Sequence, residues 1–210
     1  MAKQTKCEVL NLSFVGIQDL MFDRYPGDNS TKLPNEQKLY LDGKKVTLPS
    51  MNILSLLTAE NTKSITQKVY GKSYKKVADE LRSSLTIEQQ LIPILRNGKP
   101  LLFNGSFDNE RGGSIGIYID RRVARLAKGV PNPKERPTVQ TPWEMNVTIE
   151  LDANDEITTQ ELINLLRLGG RKIGLGTYRG VYGRFNVKVT SVEPGETLEV
   201  PAVADIDTEV

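Results

Sequence analysis

The sequence predicts an α+β domain built on an antiparallel sheet, and three alternating segments with a capped helix between two of them predict it. Leu10, Leu12 and Phe14 alternate with Asn11, Ser13 and Val15. Trp143, Met145, Val147, Ile149 and Leu151 alternate with Glu144, Asn146, Thr148 and Glu150, and Phe185, Val187 and Val189 alternate with Asn186, Lys188 and Thr190. Alternation with period 2 marks strands that bury one face. Between the second and third segments, Thr158-Thr159-Gln160-Glu161 has capping-box spacing, with Ile157 and Leu162 at the N′ and N4 positions of a hydrophobic staple. The 210 residues suit one domain, or one domain with a large insertion.

Taken in order, the first strand starts near Glu8 and is closed by Gly16. Asp23 to Asp42 is rich in Asp, Pro, Gly and Asn, with Tyr25-Pro26-Gly27-Asp28 reading as a turn, and forms an inserted loop. Asp42-Gly43 between apolar flanks predicts a small hairpin, and Ser50 caps a helix from Met51 to Ala59. Tyr74 to Leu85 reads as a helix that turns Val77 and Leu81 inward. The cations from Lys63 to Arg82, Lys68 among them, are interrupted by Asp79 and Glu80, which favours a solvated face over a ligand surface.

Arg96 to Pro100 is a turn, Asn104 to Gly113 a loop tip, and Ile115, Ile117 and Ile119 a further strand. Arg121, Arg125 and Lys128 recur at i, i+4 and i+7, so a helical turn here would line them on one edge with Arg122 beside it, a candidate anion contact. Pro131, Pro133, Pro137 and Pro142 make the following stretch an extended connection. Asp152, Asp155 and Glu156 precede the capped helix, where carboxylates favour the positive dipole end.

The capped helix buries Leu162, Ile163 and Leu166 and is expected to end at Gly169. Beyond it, Gly170, Gly174, Gly176, Gly180 and Gly183 are interleaved with Arg171, Lys172, Tyr178, Arg179, Tyr182 and Arg184. Glycine is costly to order, so this density implies close backbone approach or positive φ. From Arg167 to Lys188 the chain carries six cations and no acid; from Thr190 to Val210 it carries six acids and no cation. The whole-chain charge of +2 thus conceals a basic surface, the composition of a loop meeting an anion. It is not a nucleotide-cofactor loop, because those follow a strand and open a helix, whereas these glycines follow a helix end.

The run GRKIGLGTYRGVYGRF over 170–185, between a helix and a final strand, resembles the C-terminal glycine-rich loop of the RAMP superfamily. These are the ferredoxin-like (RRM-like) RNA-binding subunits of CRISPR effector complexes and phage-encoded relatives, in which this loop lies on guide RNA. The resemblance covers about 25 residues and implies a single ferredoxin-like domain over 1–192. Insertions fall at about 18–48 and 60–142, and an acidic flexible tail at 193–210.

The composition excludes several chemistries. There is no histidine and a single cysteine, Cys7, which removes Cys/His zinc sites, Ser-His and Cys-His nucleophile pairs and any histidine base. RAMP ribonucleases commonly rely on histidine, so this departure implies binding without cleavage. No apolar run approaches ~18 residues and no signal-peptide core follows Met1, so a cytoplasmic, non-membrane protein is expected.

The expected function is non-catalytic binding of RNA or single-stranded DNA, with no metal and no cofactor. Partners would be that nucleic acid and copies of the chain itself or other complex subunits. The binding residues would be Arg171, Lys172, Tyr178, Arg179, Tyr182 and Arg184 of the loop with Arg121, Arg122, Arg125 and Lys128. The rival is a phage structural or interaction protein whose glycine loop packs on a neighbouring subunit. An endoribonuclease using tyrosine or lysine is a third reading.

Overall fold

The computed structural model describes residues 6–28, 30–60, 64–125, 131–154 and 156–196. The first strand, β1 (Lys6–Gly16), lies at the centre of the main sheet. A short β2 (Leu20–Met21) leads to the hairpin of β3 (Tyr40–Asp42) and β4 (Lys45–Pro49), followed by three helices, α1 (Met51–Thr58), α2 (Ile65–Tyr70) and α3 (Tyr74–Ser84). Short strands β5 (Leu85–Ile87), β6 (Leu91–Pro93), β7 (Leu95–Arg96) and β8 (Lys99–Pro100) come next. The chain ends with β9 (Ile117–Arg125), β10 (Pro131–Val139), β11 (Glu144–Ala153), α4 (Thr159–Lys172) and β12 (Phe185–Pro194).

The architecture is mixed α and β with antiparallel sheets and few helices. In the main sheet β1 lies between β12 and β11, antiparallel to both, while β5 and β7 pair with the other edge of β11. It follows that β11 and β12 run parallel to each other, joined by α4 across β1. Leu10, Leu12 and Phe14 of β1, Met145, Val147 and Ile149 of β11 and Phe185 of β12 form the buried face, with Phe14 and Phe185 stacked at 4.6 Å. The opposite face carries hydrogen bonds from Thr148 to Asn11 and from Asn11 to Ser191. Val189 is 37% exposed, since β12 is the sheet edge and slips register at a bulge opposite Asn11 and Leu12.

Helix α4 begins as the capping box dictates: the Thr158 hydroxyl accepts from Glu161 N–H and Glu161 reaches back to Thr158 N–H. It does not end at Gly169. Both Gly169 and Gly170 lie inside the helix, where a Cβ on Gly169 would stand 3.0 Å from Leu56 and one on Gly170 2.5 Å from the Phe185 carbonyl. These two glycines let α4 settle closely onto α1 and β12. The stop comes at Gly174, with φ of +85° and its N–H donated to the Gly169 carbonyl.

Two further expectations are corrected. The predicted helical turn from Arg121 is the second half of strand β9, which pairs residue for residue with β10 from Ile117↔Val139 to Arg125↔Pro131. The proline-rich connection is accordingly a strand. Its prolines at 131, 133 and 137 share one edge of β10 by their even spacing, away from the bonds to β9. Helix α2 was not anticipated, although Ser64 and Gln67 form a complete capping box at its start. Glu193 and Pro194, read as the start of the tail, belong to β12, and 197–210 lie outside the described residues. No helix among the described residues is long and apolar enough to cross a membrane.

Candidate nucleic-acid interface

The loop after α4 folds back on itself and on the β1–β2 connection. Leu175 N–H donates to the Gly183 carbonyl, Thr177 N–H to the Met21 carbonyl, Gly180 N–H to the Ile173 carbonyl and Gly183 N–H to the Asp19 carbonyl. Gly174, Gly176, Gly180 and Gly183 all have positive φ. A Cβ would lie 2.7 Å from Gly183 at Gly174, 2.5 Å from the Met21 carbonyl at Gly176 and 2.0 Å from the Leu175 carbonyl at Gly183. Packing within the chain thus accounts for these three. Gly180 faces open space, and its requirement is conformational alone.

The side chains that project from this frame divide into two groups. Lys172, Tyr178 and Arg179 line one open pocket of about 450 Å³, together with Thr177, Gly180 and, from α2, Lys68. No carboxylate among the described residues lines it. The Arg179 guanidinium is half-buried, and burial pulls its pKa down with no carboxylate among the described residues beside it to counter the effect. Tyr178 is half-exposed, with φ of +55° in the left-handed region, and its ring centroid lies 6.1 Å from that of Tyr182. Arg171 is exposed on the last turn of α4 and does not line the pocket, and Arg184 stands at the start of β12 with a buried Nε lacking a hydrogen-bond partner.

Tyr182 belongs to the second group and is an anchor, not a stacking platform. It is 6% exposed, and its hydroxyl donates to Asp120 Oδ2 at 2.8 Å. Arg122 sits over its ring at 4.9 Å and donates to Asp120 Oδ1 at 2.7 Å. Burial, followed by the bond to Asp120, pushes the Tyr182 phenol up to about 12. Two cations of β9 are consequently paired within the chain, Arg122 with Asp120 and Arg121 with Glu135 at 2.8 Å. Arg125 is in β9 opposite Pro131 and Lys128 lies outside the described residues, so the structure joins the loop to only part of the predicted Arg121–Lys128 set.

Asp19, which sequence reasoning passed over, fixes the loop from beneath. Its carboxylate accepts from Arg111 Nε at 2.6 Å, Tyr118 Oη at 3.1 Å and Thr141 N–H at 2.9 Å. Burial alone would raise its pKa, but the bonds from Arg111, Thr141 and Tyr118 outweigh it and hold the carboxyl below its ordinary value. Because the same residue's carbonyl accepts from Gly183, the glycine loop, the 105–113 loop and the β9–β10 hairpin meet at one residue. Glu156, one of the carboxylates that precede the capped helix, is paired with Lys76 at 2.8 Å. The face of the main sheet away from the core presents no aromatic ring from β1, β11 or β12, so it offers no base-stacking platform of the RRM kind.

Lys68 is the pocket residue the sequence did not single out. A capping box at Ser64, the one signal that places α2, was available three residues before Gln67.

No protein-family model matches the sequence, and no curated protein emerges as a relative. Among solved structures, the chain is similar to one in a cryo-EM structure of the Type III-B Cmr-beta bound to cognate target RNA. That similarity has a TM-score of 0.50 and 11% identity over 90% of this chain and 60% of the other. It is a likeness of fold, and this chain spans about 60% of the length of the one it matches.

Proposed function

We propose that this chain is a RAMP-like protein with a ferredoxin-like core that binds RNA or single-stranded DNA, without cutting it, through the pocket face of its glycine-rich loop. The observation that carries this reading is Arg179, a half-buried guanidinium with no carboxylate partner among the described residues, in a pocket shared with Lys172 and Tyr178. Burying a charge without a partner is unfavourable, and an anion from outside the chain would supply the missing one.

The strand order β12-β1-β11, with α4 crossing over β1, supports the ferredoxin-like core. The fold likeness to a chain of an RNA-bound CRISPR assembly supports RNA and complex subunits as partners. The absence of histidine supports binding over cleavage. Packing within the chain explains three of the loop glycines without either nucleic acid or a neighbouring subunit; it leaves Arg179 unexplained.

Protein washed at high salt and treated with nuclease is titrated into a labelled 30-mer RNA and its DNA counterpart. Saturable binding with the strand left intact, with or without Mg²⁺, supports the reading. Absence of binding to both, or cleavage that tracks the protein and disappears in Lys172→Ala, contradicts it.

A further inference from the structure

The pocket has two walls, and only one of them is the glycine loop. The other is α2, whose position is fixed tightly for so short a helix. Ser64 accepts from Gln67 N–H and Gln67 returns to Ser64 N–H, Ile65 is buried in the core, and the Thr66 hydroxyl donates to the Leu57 carbonyl of α1 at 2.7 Å. Lys68 follows these three anchors directly, exposed and without an ion pair among the described residues. Lys172, across the pocket on the last turn of α4, is likewise exposed. A rigid backbone under a cation lowers the ordering cost of engaging an anion.

Two of the loop's own amides are already committed, since Thr177 N–H and Gly180 N–H are donated to Met21 and Ile173. The positive charge that an anion would meet here lies on side chains: the guanidinium of Arg179 and the ammonium groups of Lys68 and Lys172. Beside these cations stands Tyr178, whose ring is half-exposed. An exposed aromatic next to an open cationic pocket suits an unpaired base with its adjoining phosphates, because the faces of bases in a duplex are already stacked.

Building on the proposed function, we infer that the pocket between α2 and the glycine loop takes a single strand at one nucleotide, its base on Tyr178 and the phosphates on either side of it among Arg179, Lys172 and Lys68. Recognition is then indifferent to base identity and selective for unpaired strands.

The test uses the full chain, a 5′-fluorescein 30-mer of uridine, and the same strand annealed to its complement, read by anisotropy across a salt series. Lys68→Ala should weaken binding to the single strand and flatten the slope of log K against log salt by about 0.7, the value for one phosphate contact on a single strand. Lys75→Ala, an exposed lysine outside the pocket, should change neither. Tyr178→Ala should cost roughly fivefold or more in affinity and Tyr178→Phe little, and the duplex should bind more weakly than the single strand. A silent Lys68→Ala beside a damaging Arg179→Ala overturns the two-walled pocket and leaves the loop reading intact. Both variants silent overturns both. Equal affinity for duplex and single strand, or an inert Tyr178→Ala, overturns the stacked base. Unchanged far-UV spectra exclude misfolding as the source of any loss.

Discussion

Tyr182 donates its hydroxyl to Asp120 at 2.8 Å, and through that bond the glycine-rich loop is fastened to strand β9. Arg122, bonded to the same carboxylate, covers the tyrosine ring, so the hairpin's cation serves the loop's architecture. Tyr182→Phe removes the hydroxyl and keeps the ring under Arg122. It should cost about 1 kcal/mol of stability, the net worth of one hydrogen bond, measured by urea unfolding.

The same tyrosine sets an alkaline limit. Its phenol is pushed up to about 12 in the folded chain by burial and the bond to Asp120, against an ordinary value near 10. A raised folded pKa contributes stability that is complete below the unfolded value and is lost as pH climbs from about 10 toward 12. Thermal melts should fall more steeply over that window in the parent protein than in Tyr182→Phe.

Asp19 behaves in the opposite direction. Its carboxyl is held low by Arg111, Thr141 and Tyr118 against the effect of burial, so its contribution is present above the ordinary carboxylate value of about 4 and is lost as pH falls below it. Asp19→Asn should destabilise by about 2 kcal/mol or more, leaving Arg111 and Tyr118 short of an acceptor. Its unfolding free energy should also lose part of the acid dependence below about pH 4.

The glycines should separate by mechanism. Gly183→Ala places a Cβ on the Leu175 carbonyl, and Gly176→Val one against Met21, so both should lower the melting temperature sharply. Gly180→Ala meets open space and bears only the strain of a positive φ, about 1–2 kcal/mol. Differential scanning calorimetry of the three variants orders them, and a Gly183→Ala as stable as Gly180→Ala contradicts the packing account.

What the sequence disclosed was local. The alternation in β1, β11 and β12 and the capping box at Thr158 needed only neighbours in the chain, and all four stand where expected. The end of α4 was misplaced because Gly169 is a packing glycine facing Leu56, and a helix-ending glycine looks the same in sequence. The Arg121 segment was read as helical because its cations fit a 3.6-residue period; the pairing that makes it a strand lies with prolines normally taken as strand breakers. Within the candidate site, Lys172, Tyr178 and Arg179 were legible as a cluster. Tyr182 could not be told from Tyr178, since which one is buried depends on Asp120, 62 residues away. Asp19 was invisible for the same reason and Lys68 passed for part of a solvated face, as their surroundings exist only once the β1–β2 connection and α2 have docked.

The central claim is that Arg179 meets the phosphate of a single strand. The measurement closest to it is the salt dependence of binding of a labelled single-stranded RNA to the parent protein and to Arg179→Ala. Two to three phosphate contacts predict a parent slope of log K against log salt of roughly −1.4 to −2.1, and Arg179→Ala should flatten it by about 0.7 and weaken binding alike for every base composition. A parent protein whose affinity ignores salt, or an Arg179→Ala that keeps both slope and affinity, would contradict it.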